Sequence, residues 1–195
     1  MFRNSPKAWP VLAALLCSSV VTTAVADDSI DEITVVADFR GRAAAELPPS
    51  ISVLDQQTIE QQAVQHFEEL IYTLPNVNWS GDGHRARYLQ IRGVGELEQY
   101  EGAPNPSIGF LVDDIDFSGI GTIATLFDVQ QIDVLRGPQG TRYGANALAG
   151  LVYVQSTEPT ATHSGRLQVS AGDDDALAAG VALGGPLGSE QLRFR

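Results

Sequence analysis

The stretch Val134-Leu-Arg-Gly-Pro-Gln-Gly-Thr-Arg-Tyr-Gly-Ala-Asn-Ala-Leu-Ala-Gly150 decides how this chain is read. It follows an alternating run, Gln130-Gln-Ile-Asp-Val-Leu135, and leads into another, Leu151-Val-Tyr-Val-Gln155. Between them lie Gly137, Gly140, Gly144 and Gly150 with Pro138, a density that demands sharp turns or close backbone approach. Arg136 opens the segment, and Arg142 stands at its middle beside Tyr143. A phosphate loop is excluded, because Gly140 and Gly144 are too close together and no lysine follows; Lys7 is the only lysine in the chain. A dinucleotide fingerprint fails as well: after Gly93-Val94-Gly95, Glu98 stands where the third glycine belongs. The segment reads as a rigid strand–loop–strand corner packed against a neighbour.

Working outward, the 195 residues carry a net charge of -12, which excludes nucleic acid as a partner. Cys17 is the single cysteine, so neither a disulfide framework nor a cysteine metal site is expected. His66, His84 and His163 have no ligand spacing, and the acids at Asp113, Asp114 and Asp116 lack the glycine and terminal glutamate of a calcium loop. No metal, cofactor or catalytic residue is expected. Residues 1–26 read as a cleaved signal peptide: basic Arg3 and Lys7, an apolar core over Val11–Val21, and Ala24-Val25-Ala26 before a mature start at Asp27. The core is shorter than the roughly 20 residues a spanning helix needs.

Residues 27–47 form an arm whose apolar part is Asp31-Glu-Ile-Thr-Val-Val-Ala37. Ile33, Thr34, Val35 and Val36 are strand formers, readable either as a flexible segment that adds itself to a partner's sheet edge or as the first strand of the domain. After Pro48-Pro49, residues 48–156 predict a small α+β domain. A strand at Ile51–Leu54 leads to a helix over Gln56–Ala63 capped by Asp55, and Phe67, Leu70, Ile71 and Leu74 mark a second helix stopped by Pro75. Short strands at Val77–Ser80 and Tyr88–Arg92 precede an exposed loop over 93–107. Then come a hairpin about Asp113-Asp114 and a short helix over Thr122–Phe127. Residues 157–195 change character. Leu167, Val169 and Ala171 alternate, then Leu177, Ala179, Val181 and Leu183, with turns at Asp173-Asp-Asp175 and Gly184-Gly-Pro-Leu-Gly188 and a third run at Leu192–Arg195. Alternating segments of roughly ten residues are the pattern of a membrane β-barrel.

Together these residues resemble the N-terminal part of TonB-dependent outer-membrane receptors, over essentially the whole chain. Asp31–Ala37 is similar to the family's TonB box. Leu74-Pro-Asn-Val77, Ile91-Arg-Gly93 and Val112-Asp-Asp114 fall where plug domains carry similar turns, and the glycine segment is similar to the family's most recognisable plug motif. Arg142 stands where leucine is common. The resemblance implies an α+β plug domain followed by the first strands of a transmembrane β-barrel, the rest of which lies beyond Arg195. It implies TonB-dependent uptake across the outer membrane of a Gram-negative bacterium, with an iron–siderophore complex or a similar scarce nutrient as cargo. Ile33, Thr34, Val35, Val36 and Ala37 are then the residues that pair with the TonB C-terminal domain, and Arg136 and Arg142 the plug's contacts with the barrel wall. The alternative is a plug-only periplasmic module that binds TonB without transporting.

Overall fold

The computed structural model describes residues 34, 35, 37, 50–81, 83–97, 105–172, 176–189 and 191–195. The expected signal peptide, Ile33 and Val36 lie outside the described residues.

Strand β1 (Ile51–Asp55) runs directly into helix α1 (Gln56–Gln62). The switch is made at Asp55, whose Oδ1 accepts the Thr58 amide at 2.8 Å and so satisfies one of the orphan donors of the first turn. Helix α2 (Phe67–Leu70) starts at His66, where the Glu69 carboxylate turns back to the His66 amide. It tightens into a 3-10 turn over Ile71–Thr73 before Pro75 ends it, so the expected second helix is present in two geometries. A three-stranded antiparallel sheet follows, from β2 (Val77–Ser80), β3 (Tyr88–Ile91) and the short β4 (Val94–Gly95).

The central sheet has the order β1-β7-β8-β5-β6. Strands β5 (Ile108–Val112) and β6 (Ile115–Asp116) form the expected hairpin about Asp113 and Asp114, both with positive φ. Strand β7 (Val129–Leu135) pairs antiparallel with β1 and with β8 (Gly150–Ser156), while β5 and β8 run parallel. The helix expected over Thr122–Phe127 is only a 3-10 turn at Gly121–Ile123. Its neighbours divert the chain: the Phe67 amide donates to the Ala124 carbonyl and the Leu126 amide to Gln65, drawing the segment out against α2.

This mixed sheet is covered on both faces. Alternation along the strands provides for this. Ile108, Phe110, Ile132, Val134, Val152 and Val154 enter the larger core with Ile59, Phe67, Leu70 and Ile91. The opposite face presents Leu111, Leu135, Leu151 and Tyr153 to a second, smaller cluster.

Beyond the sheet, β9 (Ser164–Ala171) and β10 (Leu177–Ser189) form an antiparallel hairpin. The turn expected at Gly184–Gly188 is not there: β10 continues through these residues and pairs with β11 (Leu192–Phe194) across a register shift between Pro186 and Ser189. The strand changes partner at Gly184, which pairs with Ser164 of β9, and Gly185, which pairs with Phe194 of β11. Glycines there serve a partner switch within one strand rather than a chain reversal. On one face of the hairpin Leu167, Val169, Leu177, Val181 and Leu183 are 62–76% exposed. The other face carries Arg166, Gln168, Ser170, Ala178, Gly180 and Ala182 and turns toward the α+β domain. An apolar band outward and small or polar residues inward is the alternation of a membrane-barrel strand pair.

Candidate functional site

The second face of the central sheet is where the arm arrives. Val35 and Ala37 are both fully buried there, among Leu111, Leu135, Ala147, Leu151 and Tyr153. Among the described residues of the arm, Thr34 carries an isolated bridge and no full strand is formed, so the segment is packed on the sheet without being an ordinary first strand of it. Three side chains hold the arm's main chain. The Ala37 amide donates to Asp133 Oδ2 at 2.7 Å, the Tyr143 hydroxyl donates to the Ala37 carbonyl at 2.8 Å, and Gln131 Nε2 donates to the Thr34 carbonyl at 2.8 Å. Gln131 also donates to Asp133 Oδ1 at 2.8 Å, which fixes the carboxylate that receives the arm.

Each of these groups is placed by local sequence. Gln131 and Asp133 are two apart on β7, so both face the arm while Ile132 and Val134 face the larger core. Asp133 is only 1% exposed, and a buried carboxylate needs such donors. Tyr143 comes from the glycine segment, which contains a feature that spacing did not reveal: a short helix, α3 (Gly140–Tyr143), inside the expected loop. Gly144 ends it at φ 83° and ψ -154°, a conformation essentially confined to glycine. Burial raises the Tyr143 hydroxyl above its ordinary pKa, helped by the nearby Asp114 and Asp133 charges, so it stays protonated and able to donate. Gly150 ends the corner by close packing: a Cβ there would lie 2.5 Å from Ile91 Cδ1 and 2.6 Å from the Leu135 carbonyl oxygen. Gly137 faces open space.

The two arginines of the segment lie in different settings. Arg136 is 7% exposed and donates from Nη1 to the Pro75 carbonyl at 3.2 Å, and burial together with the Arg92 charge lowers its pKa. The Arg142 guanidinium lies over the Tyr143 ring, 5.1 Å from its centroid. The domain meets the barrel-type hairpin through other residues, with the carboxylates on the domain and the arginines on the strands. Arg166 Nη2 lies 2.9 Å from Glu60 Oε1, and Arg195 Nε donates to Asp128 Oδ2 at 2.6 Å. A second Arg195 nitrogen pairs with Asp128 Oδ1. The Phe127 ring fills the space over Gly180, where a Cβ would come within 2.8 Å of it, and Arg166 lies over the same ring. Sequence reasoning missed Glu60, Asp128, Arg166 and Arg195, because a single charge whose partner lies far along the chain gives no local signal.

Among the described residues no group of three or more His, Cys, Asp or Glu side chains is arranged to hold a metal ion. Nor is any described helix long and apolar enough to cross a membrane, which leaves a crossing by strands untouched.

Comparison with known proteins agrees with this geometry. Residues 43–151 match the family model described as TonB-dependent Receptor Plug Domain. The pesticin receptor of Yersinia enterocolitica is 27% identical over 179 residues, covering 90% of this chain and 26% of that protein. The ferric enterobactin receptor PirA of Pseudomonas aeruginosa is 32% identical over 176 residues, covering 80% of this chain and 24% of its own. Among solved structures, the ferric yersiniabactin uptake receptor FyuA from Yersinia pestis superimposes with a TM-score of 0.63 at 28% identity, over 71% of this chain and 22% of that one. The chain spans about a quarter of the length of the curated relatives it matches.

Proposed function

Since the chain belongs to the TonB-dependent receptor plug-domain family, we propose that it supplies the plug and the coupling arm of an outer-membrane receptor that takes up an iron–siderophore complex or a similar scarce nutrient. The observation that carries this reading is the arrangement within one chain of an α+β plug, a docked apolar arm and a strand pair whose apolar face points outward. The cargo class follows the relatives, whose names include receptors for ferric enterobactin and ferric yersiniabactin.

In this reading the plug obstructs the barrel, and cargo binds on the outer side. The arm, once free, offers its backbone to the TonB C-terminal domain as an added strand. Strand addition asks little of side chains and much of main-chain N–H and C=O groups. Ile33, Thr34, Val35, Val36 and Ala37 form that strand. Arg136 and Arg142, at the end of β7 away from Asp128, are assigned as further contacts with the barrel wall. No bond in the cargo is made or broken, so the protein works as a transporter and not as an enzyme.

The test is a binding measurement between a peptide spanning Asp27–Arg42 and a TonB C-terminal domain. The native peptide binds, and the same peptide with Val35→Pro does not, because proline removes a ladder donor. Equal binding by the two would sink the arm assignment.

A further inference from the structure

Helix α3 touches two things at once. On one side Tyr143 holds the Ala37 carbonyl of the arm. On the other, three residues along, Asn146 Nδ2 donates to Asp116 Oδ2 of β6 at 2.6 Å. The corner also rests directly on β5: a Cβ at Gly109 would lie 2.7 Å from the Asn146 carbonyl oxygen, so no side chain separates the two backbones. Its far end is tied to the start of β5, where the Ala149 amide donates to the Ser107 carbonyl at 2.8 Å. The amide oxygen of Asn146 is buried with no hydrogen-bond partner among the described residues, so the bond to Asp116 is what orients that side chain. Asp116 is itself fixed, its Oδ1 accepting the Ser118 amide at 2.8 Å.

Between these contacts the backbone is short and sharply bounded. The Gln139 amide donates to the Ala147 carbonyl at 2.8 Å, closing the corner on itself, and Gly144 reverses the chain between Tyr143 and Asn146. Residues 139–147 therefore shift together, and a displacement at Asn146 is carried to the Tyr143 hydroxyl. Two discrete contacts joined by a stiff piece of backbone make a physical route for coupling.

We propose that α3 and its flanking glycine corner are a relay between the β5–β6 hairpin and the arm, with Asn146 reading the position of Asp116 and Tyr143 holding or releasing Ala37. Tyr143 and Asn146 are thereby positioning residues for arm release. The proposal rests on the reading of the arm as the coupling segment, yet it makes a claim about this chain alone: the protection of residues 34–37 depends on a contact at β6 that lies apart from the described arm residues.

The experiment is amide hydrogen exchange on the purified chain at neutral pH, followed by mass spectrometry in peptides covering residues 34–37 and, as a control, β8. Tyr143→Phe removes one hydrogen bond to the arm and accelerates its exchange about tenfold. Asn146→Ala and Asp116→Ala, neither of which bonds to a described arm residue, accelerate it in the same direction. The double variant Tyr143→Phe/Asn146→Ala exchanges more slowly than the product of the two single effects, because both changes act through the same corner, which meets the arm at Tyr143 and Ala147. Arm exchange within about twofold of the parent in Asn146→Ala, with Tyr143→Phe clearly faster, overturns the relay. So does a double variant whose acceleration is the product of the two singles. Should Asn146→Ala also loosen β8, Asp116→Ala decides, since its side chain lies at the surface: acceleration supports the relay and none refutes it. Failure of the arm peptide to bind a TonB domain would instead defeat the coupling reading and leave the relay standing.

Discussion

At the scale of single residues, the four glycines of the defining segment do different work. Gly150 is glycine because the Leu135 carbonyl and the Ile91 side chain converge on it, whereas Gly137 meets nothing. Gly150→Ala is therefore expected to destabilise the plug by about 1–3 kcal/mol, since the Leu135 carbonyl cannot step aside. Gly137→Ala should fall within about 0.5 kcal/mol of the parent. Urea denaturation of the two variants checks both, and similar midpoints would contradict this account. The sequence showed four equivalent glycines; only neighbours brought from elsewhere in the chain distinguish them. The same limit applies to Asp133. It reads locally as a polar position on an alternating strand, and its partner Ala37 lies 96 residues away.

At the scale of elements, what was legible followed local chemistry. Asp55 announced α1, the two aspartates announced the β5–β6 turn, and the spacing of Phe67, Leu70 and Ile71 announced α2. What was not legible depended on pairing at a distance. The 3-10 turn at Gly121–Ile123 exists because α2 captures the following backbone, and β10 runs through its glycines because a third strand takes over from the first. Capping also sets an acid limit. Hydrogen bonds from Thr58 hold Asp55 below the usual carboxylate range, and bonds from Arg195 do the same for Asp128 against the opposing effect of burial. A folded-state pKa below the unfolded one gives stability that is present above the unfolded value, about 3.9, and is lost as pH falls through the folded one. Melting temperature should accordingly be level near neutrality and fall below about pH 4. Asp55→Ala should cost about 1 kcal/mol at pH 7 and flatten that fall. A profile in Asp55→Ala as steep as the parent's would remove the cap from the explanation.

At the scale of the whole molecule, the seam between the domain and the hairpin includes two ion pairs, the Gln65–Ser170 hydrogen bond and one aromatic ring. The exposed Glu60–Arg166 pair contributes little by itself. The Phe127 contact is steric and unforgiving. Gly180→Leu is expected to lift β10 from the plug and expose the chain around Arg166 to trypsin several-fold sooner than in the parent. Cleavage at the parent rate would mean that the ring does not hold the hairpin. The cut would be read by mass, with the plug as a resistant core.

The order of strands in the central sheet has a kinetic consequence. Ile51 of β1 pairs with Leu135 of β7, and β5 lies beside a strand that follows it only after the whole glycine corner. In the outer-membrane receptor proposed above, a chain exported N-terminus first would present β1 long before β7, the described strand it pairs with, exists. Sheets built from such distant pairings close slowly. During that interval Ile51, Val53 and Leu54 form an unpaired apolar strand edge in the new compartment, the kind of edge that recruits other chains. On that proposed route delivery becomes a waiting problem, in which a holding chaperone would matter most between the arrival of β1 and that of β7.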